Sequence, residues 1–263
     1  MDALLPPELA RKAEEVGVAK ASLGALPTLL LAVLAGAFIG LGALFMTVAT
    51  AGSVPPSGPD TLLGGLAFSL GLILVVVAGA ELFTGNNLIV MAWASRRVPT
   101  PRLLRNWTLV YTGNFIGAAA TALLVSWTRT PEIMQGAVAR RMLAITRAKG
   151  DLLFREAFIS GMLANALVCL AVWLTYSART TTDRILAIVF PITAFVAAGF
   201  EHSIANMYFF PASMLVHGTP GWETFLLGNL LPVTLGNILG GAGLVGIVYW
   251  VVYVRGRDAV PPP

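Results

Sequence analysis

The chain has 263 residues, 57% of them hydrophobic and only 11% charged, with 17 Lys and Arg against 13 Asp and Glu. Soluble domains carry about 25% charged residues, so this composition, with a mean hydropathy of +0.80, excludes an ordinary soluble domain and selects the membrane class. The pI of about 9.6 does not call for nucleic acid, because the basic residues cluster in loops, as membrane orientation requires.

In chain order, residues 7–22, PELARKAEEVGVAKAS, read as an amphipathic surface helix started by Pro7, within a cytoplasmic N-terminal unit of residues 1–26. Residues 21–59, 61–80, 106–128, 157–178 and 224–254 each lack Asp, Glu, Lys and Arg. A spanning helix needs roughly 20 mostly apolar residues, and six segments follow: about 27–49, 62–95, 106–127, 155–176, 185–216 and 224–254. The first run is too long, and lacks the charged flank, for a signal peptide. Segments two and five are too long for one helix and are interrupted by ELFTGNN and EHSIAN. Non-helical backbone at membrane depth survives only inside protein or beside a water-filled cavity, so the two breaks point to a transport site. Cys169, the one cysteine, sits mid-span; it allows no internal disulfide and reads as a small buried residue.

Orientation follows from Lys and Arg. With the N-terminus inside, the cytoplasmic segments hold eleven: Arg11, Lys12, Lys20, Arg96, Arg97, Arg102, Arg105, Arg179, Arg184, Arg255 and Arg257. The outer loop 128–154, with Arg155 at its end, holds six, including Arg140, Arg141, Arg147 and Lys149. This loop dissents from the rule: either it breaks it at no great cost, or its charge has a use, since a basic rim at an outer vestibule would concentrate anions. The spans divide into a three-helix repeat over 27–127 and a second over 155–254, followed by a cytoplasmic tail, 255–263.

The repeat is visible residue by residue. AGAELFTGNNLIVM (78–91) lies over AGFEHSIANMYFFP (198–211), so that Glu81 meets Glu201 and Asn86 meets Asn206. TGNFIGAA (112–119) lies over LGNILGGA (235–242), both G-N-x-x-G. GAFIG (36–40) and GMLAN (161–165) are a weaker third match. Three spans per half is an odd number, so the second half enters the membrane from the opposite side, an inverted repeat with its site near the midplane.

Glu81 and Glu201 read as structural supports of the breaks, carboxylates accepting bonds from freed backbone N–H groups. Asn86 and Asn206 read as ties between loop and helix end. His202 differs, because its repeat partner is Leu82, so symmetry does not ask for an imidazole. A lone histidine in apolar sequence is often a satisfied core group, but this one stands at a break and titrates near neutral pH. Two histidines fifteen positions apart, with no second cysteine, make no metal site, and no nucleophile–base set is visible, which argues against an enzyme. No cofactor is implied.

AELFTGNN, GFEHSIANM and NLLPVTLGNILGGA (229–242), in this order, resemble the formate/nitrite transporter family, and the similarity runs from KAEEVGVAKA (12–21) to GIVYWVVYVR (246–255). The resemblance implies an all-α membrane protein of six transmembrane helices per protomer, an aquaporin-like inverted 3+3 repeat with helices two and five broken. It implies a homopentamer in a bacterial inner membrane, both termini cytoplasmic, each protomer carrying its own pore for formate or another small monovalent anion, with protons. It places Thr84, Asn165, Lys149 and the central His202 along the pore. Phe68, Leu72 and Leu82 match one apolar constriction, and Phe195 the other.

A bare carboxylate does not enter a low-dielectric constriction cheaply. The expected route therefore has basic groups, Lys149 above all, drawing the anion into an outer vestibule, where it gains a proton from water or through His202. The neutral acid then passes Phe195, His202, Leu72 and Phe68, held by Thr84 and Asn165. Nitrite or hydrosulfide are alternatives within the family. An aquaporin-like channel for neutral solutes is the alternative outside it, disfavoured because the breaks read TGNN and IANM rather than Asn-Pro-Ala.

Overall fold

A computed structural model describes residues 4–53 and 55–255; Arg257 and the tail beyond Arg255 lie outside the described residues. Every regular element within them is helical. In chain order they are α1 (Pro6–Ser22), α2 (Ala25–Ala49), α3 (Gly58–Ala78), α4 (residues 83–94, three short turns in succession), α5 (Thr100–Ser126), α6 (Ile133–Gly150), α7 (Phe154–Thr175), α8 (Thr181–Ala197), α9 (Ser203–His217) and α10 (Thr224–Tyr253).

Five helices, α2, α3, α5, α7 and α10, are long and apolar enough to cross a membrane. The remaining crossing is made in tandem by α8 and α9, of 17 and 15 residues, each short of a full span. Both broken segments end their first half in the same way. Gly79 closes α3 with φ 82° and Gly199 follows α8 with φ 70°, a left-handed turn that suits glycine and stops a helix.

The basic segment 128–154, expected as a loop, contains α6. Met134, Gln135 and Gly136 turn the chain with positive φ, and regular helix runs from Ala137. α6 is the counterpart of α1, so each repeat has five elements: α1–α5 and α6–α10. α1 itself is docked rather than solvated. Its Leu9, Ala10 and Ala13 pack with Met91 and Trp173, with Trp250 and Tyr253 of α10 against them.

The G-N-x-x-G motifs are where helices cross closely. A Cβ on Gly117 of α5 would overlap the Val33 carbonyl of α2, and one on Gly240 of α10 would overlap the Met162 carbonyl of α7; small residues permit this approach. The outer faces are apolar. Leu227, Leu231, Leu235 and Leu239, spaced one turn apart on α10, are all exposed, as expected of a surface facing lipid or other protein rather than water.

Candidate functional site

The two breaks are held by the same hydrogen bonds. Asn114 of α5 accepts from the Phe83 N–H at 2.9 Å and donates to the carbonyls of Ala32 and Glu81 at 2.8 and 2.9 Å. Asn237 of α10 accepts from the Ser203 N–H at 2.9 Å and donates to the carbonyls of Gly161 and Glu201 at 2.7 and 3.1 Å. Each asparagine thus takes one N–H and one carbonyl that an unbroken helix would have paired internally, and its third bond ties the break to the neighbouring α2 (Ala32) or α7 (Gly161). The same bonds set the register of α2 on α7. Ala32 corresponds to Gly161, which aligns Gly36 with Asn165 and shifts the GAFIG/GMLAN match by four residues, one helical turn.

The carboxylates do something other than expected. Glu81 is reached by Lys20 Nζ at 2.6 Å and Asn86 Nδ2 at 2.6 Å. Glu201 is reached by Lys149 Nζ at 2.8 Å and by Asn206 and Asn229 Nδ2 at 2.7 and 3.2 Å. The freed backbone N–H groups go to Asn114 and Asn237 instead. Paired with an ammonium, a buried carboxylate offsets its desolvation far better than with neutral donors. Asn106 and Asn229 complete the two networks, accepting from Asn86 and Asn206 and donating to the carbonyls of Lys20 and Lys149. Sequence reading missed Lys20, Asn106 and Asn229. The signal available was an asparagine eight positions before each motif asparagine, and Ala-Lys at both 19–20 and 148–149.

Where the breaks meet, His202 Nε2 lies 2.9 Å from Thr84 Oγ1. The Ala205 N–H donates to His202 Nδ1 at 3.1 Å, capping α9. A backbone N–H can only donate, so Nδ1 carries the lone pair; the neutral ring's hydrogen is on Nε2, and Thr84 accepts it. The Thr84 hydroxyl hydrogen is then left to point elsewhere. Both side chains are almost fully buried.

A cavity lies on each side of this pair. The α6-side cavity, about 460 Å³, runs from Thr50 and Asp60 past Arg141 and Lys149 to Phe68, Phe195 and His202. Phe68 and Phe195 meet edge to face at 5.7 Å, and Phe195 stacks on the His202 ring at 6.0 Å. The α1-side cavity, about 260 Å³, is bounded by Leu72, Leu82, Glu81, Asn86 and Lys20. Phe68 therefore stands with Phe195, not with Leu72 and Leu82 as expected. It is four residues before Leu72 on α3, a full turn closer to the α6 side. The order through the molecule is Phe68 and Phe195, then His202 and Thr84, then Leu72 and Leu82.

Asn165 lies in neither cavity. Its Nδ2 reaches the carbonyls of Asn237 and Thr84 at 2.7 and 3.3 Å and Asn87 Oδ1 at 3.0 Å, so it braces Thr84 from behind. Cys169 is buried beside it, Sγ 3.3 Å from the Thr84 carbonyl. No group of three or more His, Cys, Asp or Glu that could hold a metal occurs among the described residues.

Residues 7–251 match the family described as Formate/nitrite transporter. The chain belongs to this family. It is 43% identical to the formate channel FocA of Escherichia coli K12, over 98% of this chain and 97% of FocA. A solved pentameric formate channel with formate bound superposes with a TM-score of 0.80 at 42% identity, covering 88% of this chain and 98% of that one. A solved FNT family ion channel gives a TM-score of 0.83 at 30% identity, over 93% and 98% of the two chains. The formate/nitrite transporter chain is thus a multi-pass, all-helical membrane protein in which two broken helices meet between two cavities.

Proposed function

We propose that the chain forms a formate channel, assembled as a homopentamer in a bacterial inner membrane with α1 and α10 ending in the cytoplasm and α6 facing out. The observation that carries this reading is the His202–Thr84 hydrogen bond of 2.9 Å joining the two breaks, with an apolar constriction on either side. The family membership and the likeness to a structure with formate bound support the substrate.

In this reading formate enters the α6-side cavity and is protonated there before the Phe68–Phe195 constriction, because a small neutral acid crosses apolar walls that a carboxylate does not. Protonating His202 means releasing Nδ1 from the Ala205 N–H, at the expense of the α9 cap. Neutral imidazole offers only a hydrogen bond, so the proton comes from cavity water unless that cap opens. Nε2–H fixes the Thr84 hydroxyl, and the Thr84 hydrogen is the donor left for the passing acid. Leu72 and Leu82 form the second constriction, and the proton is lost in the α1-side cavity.

Purified protein in liposomes loaded with a pH-sensitive dye tests the reading. Equal outside pulses of formate and nitrite are given while membrane current is recorded. Internal acidification without current, faster with formate, is expected. Current without acidification overturns the protonation step, and a faster nitrite signal overturns the substrate.

A further inference from the structure

We propose that Arg141, not Lys149, is the anion-capturing residue of the α6-side cavity, binding a small two-oxygen anion such as formate or nitrite at the mouth ahead of the Phe68–Phe195 constriction. The inference rests on the reading of this cavity as the entry for the anion.

Lys149 is already matched. Its ammonium is 2.8 Å from Glu201, and the mirrored pair Lys20–Glu81, at 2.6 Å, recurs on the opposite side. A pair present in both halves belongs to the scaffold of the repeat. Arg141 breaks that symmetry. In the register that sets Lys20 against Lys149, its counterpart is Lys12, a half-exposed residue beside Glu15 at 3.7 Å. The scaffold does not ask for a buried cation here.

Arg141 is only 7% exposed. Its Nε–H donates to Thr50 Oγ1 at 3.0 Å, and Thr50 in turn donates to the Met46 carbonyl at 2.9 Å. That uses one of five guanidinium N–H bonds. Among the described residues no carboxylate lies within ion-pair distance of it. Asp60 faces it across the cavity, but that carboxylate accepts from Ser57 N–H and Oγ–H at 2.8 and 2.6 Å. Burial pulls the guanidinium below its ordinary pKa and the charge of Asp60 pushes it back; arginine stays charged at neutral pH throughout. A buried cation without a bonded anion is costly, and a bound anion offsets that cost.

Position also fits. Arg141, Ile145 and Ala148 form one stripe of α6 along the cavity wall. Arg141 is eight residues before Lys149, about 12 Å along the helix, at the end of the cavity with Thr50 and Asp60. The guanidinium edge presents two parallel N–H bonds, which a carboxylate or nitrite accepts in pairs and a spherical anion does not.

The test has two readouts. Binding is measured as line broadening of ¹³C-formate by detergent-solubilised protein. Uptake is measured as the half-saturation concentration in proteoliposomes at fixed ionic strength. Arg141→Gln is expected to weaken both by about tenfold, the size of one charge-assisted hydrogen bond. Arg141→Lys recovers part of the loss, and Arg140→Gln, removing an exposed charge of the basic rim one residue away, weakens both far less than Arg141→Gln. Thermal melting confirms that each variant is folded. Unaltered binding in Arg141→Gln overturns the proposal, as does an equal loss in Arg140→Gln, which reports net charge alone. Wild-type protein that binds through Arg141 yet moves no formate upholds the capture site and overturns the channel reading.

Discussion

Two asparagines carry the site. Asn114 and Asn237 each make three buried hydrogen bonds to backbone, two to a break and one to the neighbouring helix at Ala32 or Gly161. Removing the amide strands the N–H and the carbonyl of the break, each costing about 1–3 kcal/mol where water cannot reach. Asn114→Ala and Asn237→Ala are expected to destabilise the protein by about 3–5 kcal/mol, and by similar amounts, since the bonds are mirrored. Denaturant melts in detergent measure this; a difference of more than about 2 kcal/mol between them contradicts the equivalence. Thr84 is the opposite case, a residue whose hydroxyl, on the route proposed above, matters less for folding than for what it offers the passing acid. Thr84→Val keeps the shape, but leaves His202 Nε2–H unpaired and removes the donor hydrogen. Formate uptake by this variant is expected to fall at least about tenfold, with Thr84→Ser retaining most of it. Wild-type uptake by Thr84→Val removes Thr84 from the route.

At the scale of elements, what was legible in the sequence was whatever repeats or whatever lipid forbids. Charge-free runs marked the spans, and E-x-x-x-x-N marked both breaks, because only buried backbone at membrane depth needs such residues. The small residues of G-N-x-x-G marked the close crossings. Gly117→Ala and Gly240→Ala are each expected to cost about 1–3 kcal/mol or more, because the new methyl meets a carbonyl on a facing helix. Surviving protein should melt lower, and an unchanged melt shows that the crossings can part without penalty. Other features were hidden for physical reasons. α6 carries too many basic residues to stand out from a loop by hydropathy, and its counterpart α1 matches it only in two short pieces, Ala10-Arg11-Lys12 against Ala139-Arg140-Arg141 and Ala-Lys against Ala-Lys. The third repeat match slipped by one turn because Gly36 and Asn165 serve the same crossing with different chemistry: the glycine admits the Asn114 carbonyl closely, while Asn165 donates to that of Asn237. Phe68 fell into the wrong constriction because one-dimensional spacing does not say on which side of His202 a turn of α3 lies.

For the whole molecule, the decisive property is symmetry that is nearly complete and broken at chosen places. The ion pairs, the amide networks and the glycine turns occur twice, so neither face of the scaffold differs greatly from the other. His202 against Leu82, Thr84 against Ile204, and buried Arg141 against half-exposed Lys12 are the departures, and all three line the route proposed for the acid. Such a molecule depends on its orientation for its direction of use, and the orientation rests on eleven basic residues against six. It can be tested with introduced thiols, since the chain's single cysteine, Cys169, is fully buried and should stay silent to a charged maleimide. Glu132→Cys and Arg102→Cys place exposed thiols on the α6 and α1 sides. In intact spheroplasts only Glu132→Cys is expected to react, and Arg102→Cys only after the membrane is opened. The reverse pattern would place Arg141 and the larger cavity in the cytoplasm, and the same capture site would then serve export of the anion rather than its entry.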